Sequence, residues 1–119
     1  MKFKFDELRI YQDSIDFVST MYTLTKEWPT IYKFSLVDQI QRAALSIPLN
    51  IAEGSGRTSK DFAHFLSISR GSCYECIAIL TIARNIQVVD MVKFTQLYDR
   101  IYSMAKTITA LKNSISKAK

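Results

Sequence analysis

The chain has 119 residues, 48% hydrophobic and 23% charged, with a net charge of +5, which is one domain's length with apolar side chains enough for a core and excludes a disordered chain. Three glycines and two prolines leave few tight turns for an all-β fold, and two cysteines are too few to staple a secreted one. No run approaches the roughly 18 uninterrupted apolar residues of a membrane span, and MKFKFDELRI places acids where a signal peptide needs its apolar stretch, so a cytoplasmic protein without membrane contact is expected.

The first predicted helix covers about Asp6 to Trp28 and ends at Pro29. It carries two apolar stripes: Ile10, Phe17, Met21, Leu24 and Trp28 on one line, and Tyr11, Ile15, Val18 and Tyr22 about 110° away. A bundle core needs one stripe, so the second predicts a subunit contact.

The second helix is predicted from about Ser35 to Ala52 or Glu53, with Leu36, Ile40, Ala43, Ile47 and Ile51 as its apolar line. Gly54 and Gly56 follow as residues that can take the left-handed conformation closing a helix. Pro48 lies inside this helix, where the missing donor frees the carbonyl of Ala44, and a kink is expected there.

The run from Thr58 to Asp61 has the spacing of a capping box and opens a third helix reaching about Gln87. Its apolar positions are Phe62, Phe65, Leu66, Cys73, Cys76, Ile77, Leu80 and Ala83. Small residues from Ser67 to Cys73, Gly71 among them, predict close approach by another helix.

After a short connection and Asp90 as start residue, the fourth helix repeats Phe94, Leu97, Ile101, Met104, Ile108, Leu111 and Ile115 in steps of three and four. Tyr98, Tyr102 and Ala105 widen this seam on one side. The expected architecture is a single all-α domain over residues 1–119, an antiparallel up-and-down four-helix bundle with helix two kinked at Pro48.

Charge is uneven along this plan. Residues 1–30 hold four Lys/Arg against five Asp/Glu, whereas residues 90–119 hold six against two. Beyond Asp99 only Arg100, Lys106, Lys112, Lys117 and Lys119 are charged, and such a basic end points to phosphate contacts with RNA or DNA. At about 100° per residue the five spread around the helix, which is also how a solvated helix looks.

Catalytic and metal chemistry find little support. Cys73 and Cys76 have redox spacing but sit mid-helix without a second pair, and buried small residues are the expected reading. His64 is the one histidine and cannot complete a zinc site or a triad. The run from Gly54 to Ser59 lacks the Gly-Lys-Ser/Thr ending of a phosphate loop. No enzyme, cofactor or metal is expected.

One polar stripe stands out. Gln39, Arg42, Ser46, Asn50 and Glu53 fall within about 80° of each other on the second helix, and Arg57 follows just past its end. They form either a structural network holding bend and register or a site for RNA backbone and bases built on Arg42, Asn50 and Arg57. Glu53 repels phosphate unless an arginine neutralises it, which favours the structural reading.

The run LVDQIQRAALSIPLNIAEGSGRTSKDFAHFLSISRGSCYECIAIL resembles the four-helix-bundle family of bacterial proteins encoded in intervening sequences of 23S ribosomal RNA genes. The likeness rests on Gln39-Ile40, Arg42-Ala43, Ser46-Ile47-Pro48, Asn50 through Gly54, Gly56-Arg57, Phe65-Leu66, Gly71-Ser72 and Glu75, while Gln41 stands where the family often has another arginine. The resemblance implies a ring-shaped homopentamer. It also implies kinship with the accessory protein of diversity-generating retroelements, which associates with a reverse transcriptase and nucleic acid. Two functions follow as expectations: a non-enzymatic RNA-binding oligomer, or a protein-interaction scaffold serving as accessory subunit of a retroelement reverse transcriptase.

Overall fold

Apolar periodicity along four segments resolves into four α-helices in the computed structural model, which describes residues 2–117. They are α1 (Arg9–Thr25), α2 (Asp38–Ser55), α3 (Ser59–Asn85) and α4 (Met91–Lys117), and the described residues contain no strand. The helices pack as an up-and-down bundle 47 Å long and about 20 Å by 24 Å across. In it α3 lies between α2 and α4, and α1 closes the bundle from the other side.

The core is drawn from the expected stripes. Ile10, Phe17, Met21 and Trp28 meet Ile40, Ala43, Ile47 and Ile51 of α2. From α3 come Leu66, Cys73, Cys76, Leu80 and Ala83, and from α4 Phe94, Leu97, Ile101, Met104 and Ile108. Burial of such side chains is worth roughly 1.5–3 kcal/mol each, so these stripes set the topology.

Boundaries differ where local chemistry overrides periodicity. Before Arg9, Lys4–Glu7 form a 3-10 turn, and α1 stops at Thr25, before Pro29. The α1–α2 connection coils through a 3-10 turn (Thr30–Tyr32) and a π-turn (Lys33–Val37), so regular α2 begins at Asp38. It then runs through Pro48 to Ser55. Thr58 caps α3 by accepting from the Asp61 backbone N–H at 3.2 Å, and the Asp90 carboxylate accepts from the Lys93 N–H at 2.7 Å at the start of α4.

Two glycine expectations are corrected. No described glycine has positive φ, and the left-handed residue after α3 is Gln87, at φ 65°. Gly54 is required for space: a Cβ there would lie 2.6 Å from the Phe65 Cβ. Gly71 has no close neighbour among the described residues, since nothing lies within 4 Å of a Cβ built on it. Its small surface faces outward.

By length and composition alone α3 is long and apolar enough to cross a membrane. Its buried residues form the centre of the bundle core. Only 39% of its most apolar window is buried, however, and Ile68, Tyr74, Ile82 and Ile86 are exposed.

Candidate functional site

The stripe on α2 is divided by the fold into a buried part and two paired ends. Ser46 and Asn50 turn toward α3, where Ser69, Ser72 and Cys73 present a small surface. The Asn50 amide donates to the Ser46 carbonyl and to the Ser46 hydroxyl, each at 2.8 Å. The Ser46 and Ser72 hydroxyls are 2.8 Å apart, and Ser72 lies 3.2 Å from the Ile68 carbonyl. Each hydroxyl carries one hydrogen, so the order satisfying every member runs from Asn50 to Ser46, to Ser72, to the Ile68 carbonyl. One turn away, fully buried Ser69 donates to the Ile47 carbonyl at 2.9 Å, beside Pro48. Small side chains on α3 therefore bring hydroxyls to the backbone of the proline-bearing turn.

The charged ends of the stripe stay apart from this network. Arg42 donates to both oxygens of Asp38 at 3.2 and 3.1 Å, and Arg57 donates to Glu53 at 2.9 Å. Both pairs are exposed i,i+4 contacts, the first within α2 and the second reaching back from just past its end. Gln39 is exposed, with no side-chain bond among the described residues. The six residues therefore do not converge on one site.

The candidate phosphate contacts also separate. Arg100 is half-buried: it donates to Thr20 at 2.9 Å and lies 5.6 Å from the centre of the Phe17 ring, tying α4 to α1. The Lys106 amino group sits 5.6 Å from the Tyr102 ring centre at the surface. Lys112 is half-buried. The side chain of Lys117 and all of Lys119 lie outside the described residues.

Other arginines missed by the reading of charge runs have similar structural duties. Arg70 donates to Thr109 at 3.1 Å across the α3–α4 contact, and Arg84 lies 4.3 Å from the Phe94 ring centre. Their signal lay in spacing: both fall on the edge of α3 next to its apolar line.

Cys73 and Cys76 are fully buried in the core. Burial pushes the Cys73 thiol up to about 12 from an ordinary 9.0, and burial first, then the neighbouring Cys73 and Glu75, raises Cys76 further. Such thiols are inert neutral packing groups. Among the described residues no cluster of three His, Cys, Asp or Glu side chains can hold a metal ion.

Comparison with known proteins places this architecture. A crystal structure of a protein of unknown function from the S23 ribosomal protein family of Bacteroides thetaiotaomicron superposes with a TM-score of 0.78. It is 18% identical in sequence, and the match covers 87% of this chain and 97% of that one, a likeness of fold. No curated protein matches the sequence. The family model for the 23S rRNA-intervening sequence protein matches residues 6–110, which span all of α1, α2 and α3 and most of α4, so the chain belongs to the 23S rRNA-intervening sequence protein family.

Proposed function

We propose that this chain is a non-enzymatic cytoplasmic protein that assembles into a homo-oligomer, five copies as the family resemblance implies, and binds RNA through phosphate contacts made by lysines. The carrying observation is how the cations are used. Arg9, Arg42 and Arg57 each face a carboxylate four residues away, while Arg70, Arg84 and Arg100 are held on Thr109, Phe94 and Thr20. No lysine forms an ion pair among the described residues. Lysine is a flexible point charge, suited to phosphate and poor at the forked recognition that arginine gives to bases. Binding of this kind follows charge, is salt-sensitive and grows with the number of linked copies.

Assembly is supported by the second stripe of α1. Ile15 and Tyr22 are each 40% exposed, and Leu45 and Leu49 of α2 are 39% and 58% exposed. Gln41 bonds Thr25 at 3.1 Å, which fixes the side of α2 that meets α1, and Leu45 follows Gln41 by one turn on that side. One outer face is thus apolar across two helices. Sedimentation of Ile15→Glu tests it: the wild type runs as a multiple of 13.7 kDa, and the variant falls to a smaller species with its helicity kept. A wild type that sediments as a monomer contradicts the proposal.

The scaffold reading, an accessory subunit of a retroelement reverse transcriptase, draws on the unburied part of α3's apolar window. It predicts the same assembly with no RNA affinity of its own.

A further inference from the structure

A trough opens between α3 and α4 on the side of the bundle away from α1. Tyr74, Tyr98 and Tyr102 line it and are 60%, 42% and 57% exposed. Its upper part is a cavity of about 300 Å³ floored by Ile77, Ile101 and Ala105. It continues past Tyr74 and Tyr102 into a second of about 360 Å³ that reaches Lys106 and Asn113. No carboxylate lines either part; the charged lining residue is Lys106, beside the Tyr102 ring. The phenol groups have no hydrogen-bond partner among the described residues. Glu75 lies about 100° further round α3 than Tyr74, and Asp99, though one turn from Tyr102 on α4, lines neither cavity.

The α1–α2 face, where Ile15, Leu45 and Leu49 accompany one exposed tyrosine, differs in composition from this trough of three tyrosines and a lysine. A largely aliphatic face suits another protein surface; rings at helical spacing beside a cation are what unstacked bases bind, since every base presents a π-face and its phosphate needs a positive charge. We propose that the trough takes the bases of single-stranded RNA, with Tyr74, Tyr98 and Tyr102 as stacking platforms and Lys106 on the phosphate. This rests on the RNA-binding reading above and adds to it a preference for single strands. Lysine contacts alone do not distinguish strand number, whereas stacking requires bases that are free.

The test compares one labelled oligoribonucleotide, single-stranded and annealed to its complement, against the full chain and two variants. Tyr74→Leu/Tyr102→Leu keeps apolar volume and removes the rings; Tyr74→Phe/Tyr102→Phe keeps the rings. The wild type should bind the single strand more tightly than the duplex. The leucine variant should lose roughly tenfold or more on the single strand, with duplex affinity, salt dependence and sedimentation unchanged, and the phenylalanine variant should behave as wild type. Equal loss on both forms overturns the proposal. So does disassembly of the leucine variant, which assigns the trough to a second copy. If the wild type binds RNA and the leucine variant matches it, the trough alone is wrong. If the wild type binds neither form, the RNA-binding reading fails with it.

Discussion

The hydroxyls of Ser46 and Ser72 meet at 2.8 Å across the α2–α3 contact, joining the proline-bearing turn of one helix to the small-residue surface of the other. Ser72 is buried and Ser46 half-buried, so this pair and the Asn50 amide that feeds it work in a region of low dielectric. The arrangement explains why polar residues flank Pro48: they bond carbonyls and hydroxyls where α2 packs on α3.

Asn50→Ala removes the amide that serves Ser46 twice. Chemical denaturation should show a loss of about 1 kcal/mol, with assembly and RNA affinity unchanged. Loss of RNA binding at unchanged stability would return Asn50 to the role of a ligand-binding residue.

The glycines should respond with opposite sign. Gly54→Ala sets a methyl 2.6 Å from the Phe65 Cβ and 3.0 Å from the Phe62 ring. A Cβ is fixed to its backbone and cannot swing aside, so a loss of about 1–3 kcal/mol is expected. Gly71→Ala meets open space inside a helix and should gain up to about 1 kcal/mol in the folded subunit. Melting curves on both variants, with sedimentation to check assembly of the second, read these signs. A loosened assembly in Gly71→Ala would place a neighbouring subunit against α3.

Arg100 and Lys112 both belong to the basic end, but of the two only Arg100 has a side-chain hydrogen bond or ring contact among the described residues. Arg100→Gln breaks the bond to Thr20 and the contact with Phe17. It should cost on the order of 1 kcal/mol, visible as a lower melting temperature. Lys112→Gln should leave melting unchanged and weaken RNA binding. Thermal melts alongside titrations separate the two; equal melting for both variants would show that the α1–α4 tie carries no stability.

Alkaline stability follows from the buried thiols. Their folded values are raised above an ordinary 9.0 by burial, so the neutral form is native. The stabilisation is fully present below about pH 9, where both states are protonated. It falls as pH rises toward 12, because the unfolded chain releases those protons first. Melting temperature should therefore drop between pH 9 and 10.5, more steeply in the wild type than in Cys73→Ala/Cys76→Ala. Parallel profiles would mean other groups account for the drop.

Much of the bundle is legible in the sequence because its core is written as repeats. The seam from Phe94 to Ile108 and the line from Ile40 to Ile51 are buried as spaced. The π-turn at Lys33–Val37 was invisible because Leu36 continues the apolar line of α2 without regard to hydrogen-bond register. The stripe was legible as a stripe but not in its division. Asp38, which pairs Arg42, lies off the stripe, and Ser72 lies 26 positions beyond Ser46 in sequence. Gly54 read as a terminator because glycine after an apolar run usually is one; its true constraint, Phe65, comes from the next helix.

On the proposed function, lysines of the assembled protein bind RNA phosphates. Titration of a labelled RNA at several salt concentrations, with the wild type and a Lys112→Gln/Lys117→Gln/Lys119→Gln variant, tests it most directly. Each phosphate neutralised releases counterions, so log affinity should fall linearly with log salt in the wild type, and the variant should have a shallower slope with the same melting temperature. Absence of binding at low salt, or identical slopes for the two proteins, would contradict the account.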